Sequence, residues 1–170
     1  MRTFKIFFNT IRSMSFKKIC RLLGLVLPHP IFAVLSFHAT VQAFTIAQKK
    51  FPKTASNNGI GNAFRHALWC CFITMYCSKV SSPEKALDFC KKITDMHEEL
   101  FPNKPLETKM DLHNNTFGMN FYRELLPGIH RQFFEKSFFI DGLEKKMKEA
   151  KVLKNLDDNF DGFLVYLDEK

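Results

Sequence analysis

The feature that most constrains this chain is how seldom it is punctuated. It has seven Gly and seven Pro in 170 residues, and most of them gather in a few short stretches. These are Pro28-His29-Pro30, Pro52 to Gly61, Pro83, Pro102 to Pro105 and Pro127-Gly128. A sandwich or barrel of short strands needs a turn signal roughly every 8–12 residues. The runs between these breaks are longer and suit helices instead. The fold class expected is therefore all-α: an irregular bundle of about six helices with short loops.

The breaks place the elements. A first helix is expected over 2–25 and a second over 31–49, separated by the two prolines. A polar loop, 51–61, precedes a third helix over 62–78, with Asn62 as its N-cap after Gly59 and Gly61. Ser81-Ser82-Pro83-Glu84 combines a capping serine, a first-turn proline and an early acid, so it opens a fourth helix that runs to Leu100. After a loop over 101–105, a fifth helix spans 107–126. Two further helical stretches are expected at 129–139 and 142–153. The tail, 160–167, suits a short strand or a last helical turn. We divide the chain into an N-terminal segment, 1–27, and a single helical domain, 28–170.

Charge separates the two halves. Residues 1–83 contain 11 Lys and Arg and no Asp or Glu, so the formal net charge of +8 arises entirely there. Arg2, Lys5, Arg12, Lys17, Lys18 and Arg21 alternate with Phe4, Phe7, Phe8, Ile11, Met14, Ile19, Leu22 and Leu23. That basic amphipathic pattern predicts association of residues 1–27 with an anionic membrane surface. No zinc finger, RNP-like motif or basic helix-turn-helix signal is present, and no nucleic-acid partner is expected.

Hydrophobic residues make up 46% and charged ones 25%, an ordinary globular balance that excludes wholesale disorder and a polytopic membrane protein. Residues 22–47 are strongly apolar, but Pro28, Pro30, His29, His38 and Gln42 interrupt them as a lipid-facing span. The same region has some features of a secretory signal, with Val41-Gln42-Ala43 as a weak cleavage site. Cys20, Cys70, Cys71, Cys77 and Cys90 form no CxxC pair and read as small hydrophobes in a reducing compartment. The localisation expected is cytoplasmic or peripheral on the inner membrane, with secretion as the alternative.

Two helices carry polar stripes. Asn62, His66 and Trp69 fall at i, i+4 and i+7 of an otherwise apolar helix, and Arg65 lies beside them. Asp111, Asn114, Asn115 and Gly118 fall at i, i+3, i+4 and i+7 of another. Between them, helix four ends in His97-Glu98. A buried charge or imidazole is costly unless paired, so these residues are expected to meet. Gly118 in mid-helix costs roughly 1 kcal/mol relative to Ala, and close approach of a helix or ligand would explain it.

Three readings of this cluster stay open. In a hydrolase-like site, His66 is the base, Asp111 orients it and Glu98 is a second acid. Arg65 then holds an anion, while Asn62, Trp69, Asn114 and Asn115 bind substrate. In the second reading, His66, His97, Glu98 and Asp111 supply ligands to a divalent metal. In the third, the cluster is a buried structural network and the protein is a non-enzymatic membrane-associated or protein-binding domain. His29, His38 and His130 are isolated and read as packing or surface residues.

Asn62-Ala63-Phe64-Arg65-His66-Ala67-Leu68-Trp69, then His97-Glu98, then Lys109-Met110-Asp111-Leu112-His113-Asn114-Asn115 with Gly118 resemble a family of bacterial domains of unknown function. That family is marked by NAxRHAxW, HE and MDLxNNxxG blocks in this order. The resemblance covers roughly residues 50–125. It implies a mostly helical fold and singles out Arg65, His66, Trp69, His97, Glu98, Asp111, Asn114 and Asn115, without implying a reaction. A looser likeness is to small bacterial phospholipases A2, whose helix carries an Arg-His pair. Those enzymes place Asp directly after the His, where this chain has Ala67, and their disulfide and calcium loop have no counterpart here.

Overall fold

The computed structural model describes residues 15–168. The basic and apolar residues at positions 2–14, and so the first part of the expected amphipathic helix, lie outside the described residues. Six α-helices are present among those described: α1 (Phe16–Val26), α2 (Pro30–Lys50), α3 (Ile60–Val80), α4 (Pro83–Leu100), α5 (Pro105–Leu125) and α6 (Lys136–Met147). A 3-10 turn, Arg131–Phe133, precedes α6, and two short strands, β1 (Lys151–Val152) and β2 (Val165–Tyr166), follow it. The all-α class expected from the sparse punctuation holds.

Local chemistry sets the helix starts. Proline opens α2, α4 and α5, where a missing N–H costs nothing. Ser82 caps α4 by accepting from the Lys85 N–H at 3.3 Å. Glu107 reaches back to accept from the Lys104 N–H at 3.2 Å. One expected start is corrected: α3 begins at Ile60, with Gly59 as its cap. Asn62 lies inside the first turn instead, and its side chain donates to the Asn57 carbonyl at 2.5 Å. The preceding loop folds back over the helix, so its carbonyls claim that amide.

α3 is buried on nearly every side and forms the axis of the bundle. Phe64, Leu68, Phe72 and Ile73 are fully enclosed, and each such side chain contributes about 1.5–3 kcal/mol relative to exposure. α2 lies against α3 and buries the small residues Ser36, Ala39, Ala43 and Ala47. It is long and apolar enough to cross a membrane, with mean hydropathy 1.5. Two of its polar side chains are nonetheless bonded to α3: Trp69 Nε1 donates to Thr40 at 2.8 Å and Tyr76 to Gln42 at 2.9 Å. Ala43 of the Val41-Gln42-Ala43 stretch is buried in this contact. α5 crosses α3 at Gly118, where a Cβ would lie 2.8 Å from the Ala67 Cα. Backbone-to-backbone approach thus explains that mid-helix glycine.

The C-terminal part corrects the expectation of two helices at 129–139 and 142–153. One helix, α6, spans the supposed break at Asp141-Gly142, and Gly142 leaves room for the Phe121 ring beside it. The chain upstream is a 3-10 turn rather than α-helix, and residues 151–152 are strand. The tail takes the strand option: β2 pairs in parallel with β1, Lys151 opposite Val165 and Val152 opposite Tyr166. This tail lies along α5. Asn114 exchanges two hydrogen bonds with the Val165 backbone, at 2.8 and 3.0 Å. His113 Nε2 donates to the Phe163 carbonyl at 2.9 Å, and Lys109 to that of Leu156 at 2.5 Å.

Candidate functional site

Three helices converge on His66. It projects from α3, Asp111 and Asn115 come from α5, and Glu98 comes from the last turns of α4. His66 and Asp111 are each 4% exposed and Glu98 6%. The helix crossing at Gly118 places them, because it brings α5 close enough for short polar side chains to span the gap.

The hydrogen bonds fix the tautomer of His66. Its Nε2 lies 3.1 Å from a guanidinium nitrogen of Arg65, and a guanidinium can only donate. Nε2 therefore carries a lone pair. Nδ1 bears the proton and donates to Asn115 Oδ1 at 3.1 Å. The Nε2 lone pair also faces Asp111 Oδ1 at 3.3 Å. Two acceptors thus meet with no proton of their own between them. Asp111 Oδ1, Glu98 Oε1 and Asn115 Nδ2 are buried without a hydrogen bond.

Arg65 is the nearest positive charge. It donates to the Ala55 carbonyl at 2.7 Å and to Asn62 Oδ1 at 3.2 Å, so the 51–59 loop anchors it at the edge of the cluster. Burial works against its charge, while Asp111 and Glu98 favour it. Burial acts on the other groups in the same sense, towards neutrality. It pushes Glu98 up to about 8, helped by the Asp111 charge. It raises Asp111 to about 6, against the pull of Arg65. It lowers His66 to about 3, and the charge of Arg65 adds to this. His66 is thus neutral at physiological pH, the form in which imidazole binds a metal.

The structure separates the expected site residues into two groups. Arg65, His66, Glu98, Asp111 and Asn115 come together, with Asn62 behind Arg65. His97 stays outside the convergence. Its ring packs against Trp69 at 5.3 Å and Phe101 at 5.2 Å, and burial with the Arg65 charge lowers it to about 4. Trp69 stands edge-on to His66 at 6.3 Å. Asn114 points towards β2, and both ends of its amide are occupied there.

Two neighbours were not singled out from the sequence. Asn103 donates to Asp111 Oδ2 at 3.2 Å, and Thr40 holds Trp69. The two prolines flanking it, Pro102 and Pro105, were the available signal for Asn103. That residue is exposed, so at this point a short loop lies between Asp111 and solvent. A groove of about 630 Å³ lies elsewhere, between α5 and α6, lined by Phe121, Leu125, Ile129 and Lys145 among others.

His66, Glu98 and Asp111 each offer one ligand atom, and these atoms lie within 4.8 Å of one another. One nitrogen and two carboxylate oxygens make a donor set suited to a divalent ion of intermediate hardness. The alternative chemistry is proton transfer between His66 and the carboxylates. No curated protein and no solved structure matches the chain. The model of the family described as a domain of unknown function, DUF6973, matches residues 23–151, which contain α2 to α6 and every member of the cluster, and the chain belongs to that family.

Proposed function

We propose that the cluster on α3, α4 and α5 is a divalent-cation centre of a hydrolase-like enzyme, with His66, Glu98 and Asp111 as ligands. The observation that carries this reading is the trio of buried acceptors. The His66 Nε2 lone pair meets Asp111 Oδ1 and lies near Glu98, and both carboxylates keep an oxygen without a hydrogen bond. The two carboxylate oxygens without a hydrogen bond cost about 1–3 kcal/mol each. A cation shared among them would remove that cost.

Asn115 acts behind the ligand. By accepting a hydrogen bond from Nδ1–H it orients the ring and directs Nε2 inward, as a partner of a metal-bound imidazole does. Arg65, fixed by Ala55 and Asn62, would take an anionic group of a substrate. A bound cation would supply an activated water at neutral pH. Substrate entry beside Asp111 would require the Phe101–Lys104 loop to move aside, taking Asn103 with it.

The burial of the cluster favours a second reading, a structural network that never meets a substrate. Thermal unfolding of metal-stripped protein with added Mn2+ or Zn2+ separates the two. A ligand at 100 times its Kd stabilises the native state by about 2.7 kcal/mol. The expected result is a rise in Tm for the wild type and none for Glu98→Gln, with ester or phosphoester hydrolysis that follows the loaded metal. An absent shift, or an equal shift in Glu98→Gln, refutes the cation centre. A shift without hydrolysis leaves a metal site and removes the enzyme reading.

A further inference from the structure

Among the described residues, half of the exposed large hydrophobic side chains lie at the corner between α1 and α2. Phe16, Leu23, Leu27, Ile31 and Val34 are 80%, 43%, 69%, 64% and 69% exposed. Phe16, Leu23 and Leu27 lie at i, i+7 and i+11 and form one stripe along α1. The stripe continues across Pro28-His29-Pro30 onto the first turns of α2. A grouping of large apolar side chains at a surface usually marks a binding face.

The other side of α1 shows that this exposure is not a loose end. Arg21 pairs with Glu99 at 2.7 Å. Lys18 donates to the Leu100 carbonyl at the C-terminus of α4. Leu25 packs against the main core. The helix is thus fastened by its basic edge and by Leu25, with the apolar stripe facing away.

Charge selects the occupant. Residues 1–83 carry no acidic side chain, and exposed Lys17 stands next to Phe16. The preceding sequence repeats the pattern, with Arg2, Lys5 and Arg12 among Phe4, Phe7, Phe8 and Ile11. A second copy meeting this face would bring two basic surfaces together. An anionic bilayer satisfies both features: its headgroups attract the cations and its acyl boundary accepts the apolar stripe.

We propose that α1 and the first turns of α2 seat the protein on an anionic lipid bilayer, with Phe16, Leu23, Leu27, Ile31 and Val34 entering the headgroup–acyl boundary. This docking does not depend on the cation centre. Its test needs neither metal nor turnover.

The experiment is sedimentation of the full-length protein with vesicles of phosphatidylcholine and phosphatidylglycerol at low salt. Vesicles of phosphatidylcholine alone serve as the comparison. The variant Leu27→Glu/Ile31→Glu/Val34→Glu alters three highly exposed side chains, and circular dichroism checks that it folds. Expected is binding to the anionic vesicles that is at least about tenfold weaker for the variant and for the neutral vesicles. Added salt should weaken it further. The proposal is overturned if the wild type stays in solution, if the variant pellets equally, or if lipid charge has no effect. It is also overturned if the wild type is a dimer that the triple variant dissolves while neither binds vesicles.

Discussion

On one side of α5, Asn114 gives both ends of its amide to the Val165 backbone, and that backbone gives back a donor and an acceptor. One residue further on, Asn115 spends its oxygen on His66, and its Nδ2 faces Glu98, whose charged form it favours, without a full hydrogen bond. The Asn114 side of the helix is closed. The Asn115 side brings together Asp111 Oδ1, Glu98 Oε1 and the Nε2 lone pair of His66, to which Arg65 donates. The two asparagines are buried alike, Asn114 at 0% and Asn115 at 1% exposed. Burial alone therefore does not explain the missing partners. The chain satisfies polar groups completely where they only hold the tail to the bundle, and it leaves acceptors unmatched where three helices converge.

The largest effect is expected from a substitution on the closed side. Asn114→Ala strands the N–H and C=O of Val165 in a buried setting. It should cost about 2–4 kcal/mol, read as a lower midpoint in chemical denaturation. A change under about 0.5 kcal/mol would mean that the β2 clamp is not structural.

A smaller effect should come from pH on the open side. A carboxyl group whose folded pKa is raised adds stability at low pH and loses it as pH rises through the folded value. For Asp111 that loss ends near pH 6, and for Glu98 near pH 8. His66 and His97 are depressed, to about 3 and about 4, so they lose stability as pH falls from roughly 6.5 through those values. Between pH 4 and 6.5 the two pairs oppose each other. Above 6.5, Glu98 acts almost alone, with Asp111 and Arg65 as its charged neighbours. The Tm of metal-stripped protein should therefore fall from pH 6.5 to 8.5, and Glu98→Gln should flatten the curve. A flat wild-type profile, or an unchanged slope in the variant, would contradict the assignment to Glu98.

Part of this arrangement was legible in the sequence. Spacing put Asn62, His66 and Trp69 on one helix face and Asp111, Asn114, Asn115 and Gly118 on another. The cost of a mid-helix glycine announced a close approach, which is the crossing at Ala67. The same spacing could not divide Asn114 from Asn115. Neighbouring residues on a helix point about 100° apart, so one polar stripe serves two partners. The second partner, a two-residue parallel strand, leaves no periodicity to read. His97 sat beside Glu98 in sequence, yet the helix turned it towards Trp69 and Phe101. The continuous helix through Gly142 was hidden because its reason, the Phe121 ring, lies on another element.

The central claim is that the open side is kept unmatched for a ligand rather than for the fold. Chemical denaturation of Asp111→Asn against the wild type, at pH 7.5 with chelator present, tests it most directly. Ionised Asp111 is disfavoured by its burial, and an amide of the same shape removes that charge. The account predicts a midpoint equal to or above that of the wild type, because functional sites are held at some expense to stability. A loss of about 2–4 kcal/mol would show instead that Asp111 is a strut of a structural network, and would contradict the account.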